Sequence, residues 1–318
     1  MDVLVTGGCG YVGGALVPRL QRADGVGSVT VFDSLADGSP RNLVGADFGD
    51  GVRFRQGDVR EYGDVESAAR GHDAVVHLAA ITGAASTHDR REETFAVNHD
   101  GAENVFTAAA KLDVDTVAFA SSCNVYGRTT SREIDESVAP EPINPYAEAK
   151  YEAERLFVDH VEAGDFDGTA LRMATNYGYA PGVRFNLVVN TFVFRALTGR
   201  SLTVYGDGSN WRPFVHVRDA ARAFAATVLD PDGWDRSVYN VGSNDGNYRV
   251  EAVAEVVREE VSPDLDVTYL EDEHPGPSYH VNFDRLTETG FETGWTLREG
   301  VRELAERFRG TDPDGQID

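Results

Sequence analysis

Lysine is almost missing from this 318-residue chain: Lys111 and Lys150 stand alone, and arginine and histidine supply the other basic side chains. Cysteine is as scarce, with Cys9 and Cys123 only, too few for a disulfide framework or a thiolate zinc site. No apolar run approaches the roughly 18 residues of a membrane span, and residues 1–6 show neither the basic flank nor the cleavage site of a secretory leader. These absences point to a cytoplasmic protein with no membrane partner and no metal. Positive charge is also short, at 29 Lys and Arg against 53 Asp and Glu for a net charge of -24. That balance repels nucleic acid phosphates, so no nucleic-acid partner is expected.

An acidic surface with arginine in place of lysine is the pattern of halophilic proteins, in which about 1 M salt shortens the Debye length to about 3 Å. An ordinary acidic protein is the alternative.

Short apolar stretches at 3–5, 29–32, 52–54, 74–78, 116–120 and 170–172 alternate with helical segments. In the segment from Val12 to Arg22, for example, Val12, Leu16 and Leu20 repeat at helical spacing. Strands separated by crossovers predict an α/β fold, a Rossmann doubly wound parallel sheet with ligands at the carboxyl ends of its strands. Residues 1–175 are expected to form this first, ligand-binding domain and residues 176–318 a smaller, interleaved lobe that shapes a substrate pocket. Strands within 214–245, at 214–216 and 238–241, are expected to rejoin the first sheet. The residues from 311 to 315 read as a frayed end.

Thr6-Gly7-Gly8-Cys9-Gly10-Tyr11-Val12-Gly13 follows the first strand and opens the first helix, the context that makes a glycine pattern a dinucleotide fingerprint. Gly7, Gly10 and Gly13, with Tyr11 and Val12 beside them, let backbone N–H groups approach a pyrophosphate at the helix N-terminus. Asp33 closes the second strand about 20 residues on, where a carboxylate accepts from a ribose diol and repels a 2′-phosphate. NAD is therefore expected rather than NADP. Ser34, Asp58, Val59, Leu78, Ala79 and Ala80, at the ends of the second, third and fourth strands, are further cofactor candidates. Asp58 is placed toward the adenine amino group, and an incidental strand-end position is the alternative.

Ser121-Ser122-Cys123-Asn124 follows the fifth strand, and Tyr146-Ala147-Glu148-Ala149-Lys150 starts a helix. The i, i+4 spacing puts the Tyr146 phenol and Lys150 ammonium on one face. A free phenol titrates near 10; a neighbouring ammonium and a cationic nicotinamide favour the phenolate and make Tyr146 a competent acid and base. Ser122 is expected to hydrogen-bond the reacting oxygen. Cys123 reads as a small packed residue, because nothing nearby in sequence stabilises a thiolate.

With these motifs the chain resembles the extended short-chain dehydrogenases that act on nucleotide sugars, the NAD-dependent epimerase/dehydratase group. The resemblance covers nearly the whole chain. It implies that Asn98, Tyr146 and Lys150 serve both catalysis and the cofactor, and that Arg212, within Gly206-Asp207-Gly208-Ser209-Asn210-Trp211-Arg212, binds a nucleotide diphosphate. It also suggests Thr82, Ser122, Asn124, Asn176, Asn186 and Leu187 as substrate contacts, with a helix-capping role as the alternative for Asn186. Arg184 and Asn190 lie in the same covering segment. Helical stretches from 98 to 111 and from 146 to 160 resemble those of a dimer interface, so a homodimer is expected.

Two departures shape the reaction expected. The 4,6-dehydratases of the group carry an Asp-Glu pair where this chain has Cys123-Asn124, which argues against water elimination. A late arginine that commonly contacts the diphosphate is replaced within Gly276-Pro277-Ser278-Tyr279-His280, with His280 a pH-dependent substitute or a surface residue. Thr175 stands where 4-epimerases often have an asparagine, with Asn176 beside it. The reading is a 4-epimerase-like enzyme of a nucleotide-diphosphate sugar acting through a transient keto sugar. A net sugar dehydrogenase or keto-sugar reductase is the alternative, and a non-catalytic NAD-binding protein a minor one.

Overall fold

The computed structural model describes residues 1–83, 85–127, 133–271 and 278–309. Gly276, Pro277 and the residues from 311 to 315 lie outside them.

The strands are β1 (Asp2–Thr6), β2 (Ser28–Asp33), β3 (Val52–Gln56), β4 (Ala74–His77), β5 (Thr116–Ser122), β6 (Asp167–Met173), β7 (Thr175–Tyr177), β8 (Leu202–Tyr205), β9 (Trp211–His216), β10 (Val238–Val241), β11 (Asn247–Arg249) and β12 (Val267–Leu270). The helices are α1 (Tyr11–Gln21), α2 (Tyr62–Ala69), α3 (Arg91–Phe95), α4 (Gly101–Lys111), α5 (Pro145–Ala163), α6 (Val188–Leu197), α7 (Val217–Leu229), α8 (Val250–Val261), α9 (Asp284–Glu288) and α10 (Leu297–Arg309). A π-helical turn, Ala96–Asp100, joins α3 to α4.

Seven strands form one parallel sheet in the order β10-β6-β5-β4-β1-β2-β3. Its interior strands are mostly apolar and buried, as a sheet covered on both faces requires: β1 and β4 carry Val3, Leu4, Val5, Ala74, Val75 and Val76, all fully buried. One face packs on α1 and α7, and the other on α2, α4 and α5. On the second face Phe119 meets Phe106 and Phe157 with ring centroids 5.3 and 5.8 Å apart. Each such side chain stabilises the fold by about 1.5–3 kcal/mol through burial alone. Strand order reverses between β1 and β4, so the crevice at their carboxyl ends is where an open α/β sheet takes its ligand.

The rest of the chain builds a second core from α6, α8, α10 and the short strands. Residues 238–241 join the main sheet as β10, beside β6. Residues 214–216 do not. They lie in β9, which pairs with β7 and β11 in a separate three-stranded sheet, because the chain leaves the main sheet after Met173 and β7 is the strand that β9 meets.

Candidate active site

The glycine turn packs directly against the end of β4. Gly7 has φ +69°, and a Cβ there would stand 2.5 Å from the Ala79 backbone nitrogen; at Gly13 it would stand 2.3 Å from the Gly8 carbonyl oxygen. The turn brings Gly10 to the N-cap of α1, whose first turn contains no acidic residue, so its N–H groups and positive dipole end face the crevice uncompensated. The Asp33 carboxylate accepts from the Cys9 N–H at 2.9 Å and the Leu35 N–H at 2.8 Å. It thereby fixes the turn as well as the end of β2. Ser34 is exposed beside it, and Val59 is buried against Gly101. Asp58 is already engaged: Arg60 donates to it at 2.6 Å and holds its carboxyl below the usual range.

Tyr146 and Lys150 lie one turn apart at the start of α5. Asn144 caps this helix by accepting from the Ala147 N–H at 3.0 Å, Pro145 takes the first turn, and Gly164 ends it with φ 77°, the start and stop chemistry that its sequence carries. Burial raises the Tyr146 phenol, while the neighbouring Ser122 hydroxyl and the nearby Arg184 cation oppose that rise. Lys150 is 2 % exposed, its ammonium is 4.9 Å from the Phe119 ring centre, and burial pushes it down to about 7. Its Nζ has no hydrogen-bond partner among the described residues. His77, at the end of β4, is hydrogen-bonded to the Thr6 hydroxyl at 2.7 Å and is pushed down to about 3 by burial and then by Lys150. It stays neutral beside the ammonium.

Ser122 caps the short helical turn Cys123–Tyr126, its Oγ accepting from the Asn124 N–H at 3.2 Å. The Tyr279 hydroxyl donates to Asn124 Oδ1 at 3.2 Å, and the Arg212 guanidinium lies 5.2 Å from the Tyr279 ring centre. Asn124, Arg212 and Tyr279 thus form one connected group. Thr82, Arg184 and Asn186 form another, Arg184 donating to the hydroxyl of Thr82 and to Asn186 Oδ1. Asn186 is not a helix cap: α6 begins after Leu187, and no side chain caps it. Asn176 Oδ1 on β7 is buried without a partner among the described residues. Asn98 stands apart from this group. It is fully buried in the π-helical turn, and its amide both accepts from the Ile81 N–H at 2.7 Å and donates to the Ile81 carbonyl at 2.8 Å. Both ends of the amide are spent on the backbone after β4, so it holds Ala79, Ala80 and Thr82 in place.

Residues 3–242 match the model of the NAD dependent epimerase/dehydratase family. The chain belongs to that family. It is similar to the low-salt glycan biosynthesis protein Agl12 of Haloferax volcanii, at 28% identity over 98% of this chain and 100% of that protein. Among solved structures it is similar to a Thermus thermophilus UDP-glucose 4-epimerase in complex with NAD, with a TM-score of 0.85, 28% identity and coverage of 98% of this chain and 100% of that one. It is as similar to a dTDP-glucose 4,6-dehydratase from Streptomyces venezuelae with NAD bound, with a TM-score of 0.86, 26% identity and 97% of both chains covered.

The family's cofactor is NAD, and this chain's own residues fit it. A cradle that any Cβ would fill, a helix N-terminus without an acidic residue in its first turn and a buried ammonium without an acceptor among the described residues converge on one crevice. The chain is thus an NAD-dependent enzyme.

Beneath this family site lies a charged layer that motif reading passes over. Glu154 follows Lys150 by one further turn of α5 and is ion-paired with Arg172 on β6 at 2.6 Å, both side chains almost wholly buried. Arg172 also donates to the Tyr126 hydroxyl at 2.8 Å, and that hydroxyl donates to Asn240 at 2.7 Å. Cys123 points into the same layer, its thiol donating to the Arg172 carbonyl oxygen at 3.1 Å and raised by burial. Position 154 repeats the spacing of Tyr146 and Lys150, the one sequence signal for Glu154. Tyr279 stands out in the sequence only as part of the segment in which the late arginine is replaced.

Proposed function

We propose that this chain is an epimerase of a nucleotide-diphosphate sugar, working through a transient keto sugar. The observation that carries this reading is the Ser122–Tyr146–Lys150 constellation: a phenol beside a serine hydroxyl and one helical turn from a buried ammonium without an acceptor among the described residues. Tyr146 takes the proton from a sugar hydroxyl and later returns it, Lys150 stabilises the phenolate, and Ser122 holds the reacting oxygen. NAD, when bound, supplies the reversible hydride acceptor. Gly7, Gly10, Gly13, Tyr11, Val12, Asp33 and Lys150 hold it, with Ser34, Asp58, Val59, Leu78, Ala79 and Ala80 along its walls. Asp58 contributes as an Arg60-bound carboxylate, and Asn98 positions the wall.

Water elimination needs an additional acid and base beside the sugar. Cys123 is buried and turned toward the Arg172 carbonyl, and Asn124 has no proton to give or take at neutral pH. Thr82, Asn124, Asn176, Asn186, Leu187 and Arg212 form the substrate side, Arg212 meeting the diphosphate. UDP-glucose is an acted-on sugar named for one similar structure, and UDP- and dTDP-sugars are the substrates to try. The enzyme is further proposed to be a cytoplasmic homodimer adapted to salt, from its net charge of -24 and its family.

Incubating the purified protein with UDP- and dTDP-sugars, while following NADH absorbance and sugar configuration by NMR, tests the reaction. Inverted configuration without NADH accumulation is expected. Stoichiometric NADH would instead make it a net dehydrogenase.

A further inference from the structure

Arg184 is a part-buried cation that forms no ion pair with a carboxylate among the described residues. Burial lowers its guanidinium. Its side-chain hydrogen bonds go to two neutral oxygens, the Thr82 hydroxyl and Asn186 Oδ1, the latter at 3.3 Å. No carboxylate of the described residues forms an ion pair with it, in a chain with 53 acidic residues. Asp37, the acidic group that acts on it electrostatically, does so without pairing, and Tyr11 and Tyr146 are its other electrostatic neighbours. A part-buried guanidinium held by neutral oxygens alone is strengthened by an anionic acceptor.

Its place in the fold identifies the anion. Thr82 follows β4, Tyr11 opens α1 after the glycine turn, Asp37 follows β2, and Tyr146 starts α5. These four surround the crevice at the carboxyl ends of β1, β2 and β4. The Arg184 backbone is tied to the same spot: its carbonyl accepts from Asn190 Nδ2 at 3.0 Å, and that amide nitrogen also donates to the Tyr11 hydroxyl at 3.3 Å. Tyr11 in turn donates to the Gly178 carbonyl, whose N–H donates to Asn190 Oδ1 at 3.0 Å. The segment carrying Arg184 is thus bolted to the N-terminus of α1.

We propose that Arg184 is a pyrophosphate-binding residue that reaches from the second lobe over the glycine turn and latches NAD into its crevice. A dianionic pyrophosphate faces the helix N-terminus on one side and this guanidinium on the other, and gives Arg184 the bidentate acceptor it lacks. The latch rests on the epimerase reading in one respect: an enzyme that reoxidises its cofactor in every turnover gains from slow cofactor release, whereas a net dehydrogenase must exchange it.

A diphosphate also occurs in the nucleotide sugar, and binding measurements separate the two sources without turnover. For the full-length protein and Arg184→Gln, dissociation constants are measured for NAD, ADP-ribose and adenosine, and for UDP and dTDP on the NAD-loaded protein. The NAD dissociation rate is followed by stopped flow. Arg184→Gln is expected to weaken NAD and ADP-ribose about tenfold or more and to speed NAD release, with adenosine and the two nucleoside diphosphates within about twofold of the parent. Arg184→Lys should fall between. Retained adenosine binding shows that the crevice is folded. Unchanged NAD and ADP-ribose affinity in Arg184→Gln overturns the latch, and if UDP and dTDP are weakened instead, the arginine belongs to the sugar's diphosphate. Because the sugar plays no part in the cofactor arms, failure of the epimerase reading leaves this result standing.

Discussion

Ser121 donates a 2.5 Å hydrogen bond to Glu154, joining the strand end that carries Ser122 to the helix that carries Tyr146 and Lys150. The same carboxylate holds Arg172, so one buried acid ties together α5, β5 and β6. Removing one partner of such a pair strands the other charge, at about 3–5 kcal/mol. Glu154→Gln is therefore expected to lower the thermal midpoint strongly. Adding Arg172→Met should recover part of the loss, because the stranded charge is then gone. Strictly additive losses in a double-mutant cycle would contradict the coupling.

Lys150 makes stability depend on pH. Its folded value, about 7, lies below the ordinary 10.5, so between these two pH values the unfolded chain binds more protons than the folded one, and stability rises with pH. Below pH 7 both states carry the charge and the cost of burying it is fully present. Lys150→Met should accordingly stabilise the cofactor-free protein by a few kcal/mol at pH 6, with the advantage shrinking as pH climbs toward 10. Melting curves of the two proteins at fixed salt give the difference; a gap that stays constant or widens with pH would exclude this account of Lys150.

Asp33 has two tasks, bracing the Cys9 N–H and presenting carboxylate oxygen to the crevice. Asp33→Ala is expected to weaken NAD binding and to relax its preference over NADP, since the charge that repels a 2′-phosphate is lost. Parallel titrations with both cofactors measure this. Undiminished selectivity would remove Asp33 from the ribose site.

At a net charge of -24, the protein repels itself when salt is withdrawn, because screening then reaches only weakly between surface carboxylates. The melting temperature should fall from molar to millimolar KCl. Equal midpoints would leave no reason to regard the acidic surface as an adaptation to salt.

The parallel sheet, the glycine turn and the Tyr146/Lys150 pair were legible in the sequence because each rests on local spacing: unbroken apolar strands, glycines between a strand and a helix, and two side chains four residues apart. What depends on distant partners was not. Asn98 was recognisable as a motif residue, but its use on the Ile81 backbone appears only when the π-helical turn packs under β4. Residues 214–216 look like a strand of the main sheet because apolar alternation does not say which strand is the neighbour. Nothing in the spacing of Glu154 and Arg172 pairs them until folding buries them against each other. Tyr279 lies in the segment read as a diphosphate contact, but its pairing with Asn124, 155 residues earlier, appears only in the fold.

The most direct test of the mechanism is Tyr146→Phe, which removes only the phenolic oxygen. With the nucleotide sugar that the parent enzyme inverts, the variant is expected to lose turnover by at least a hundredfold, the low end of what a positioned acid–base contributes, while binding NAD within about twofold of the parent. Near-normal turnover in Tyr146→Phe would contradict a mechanism in which this phenol moves the proton.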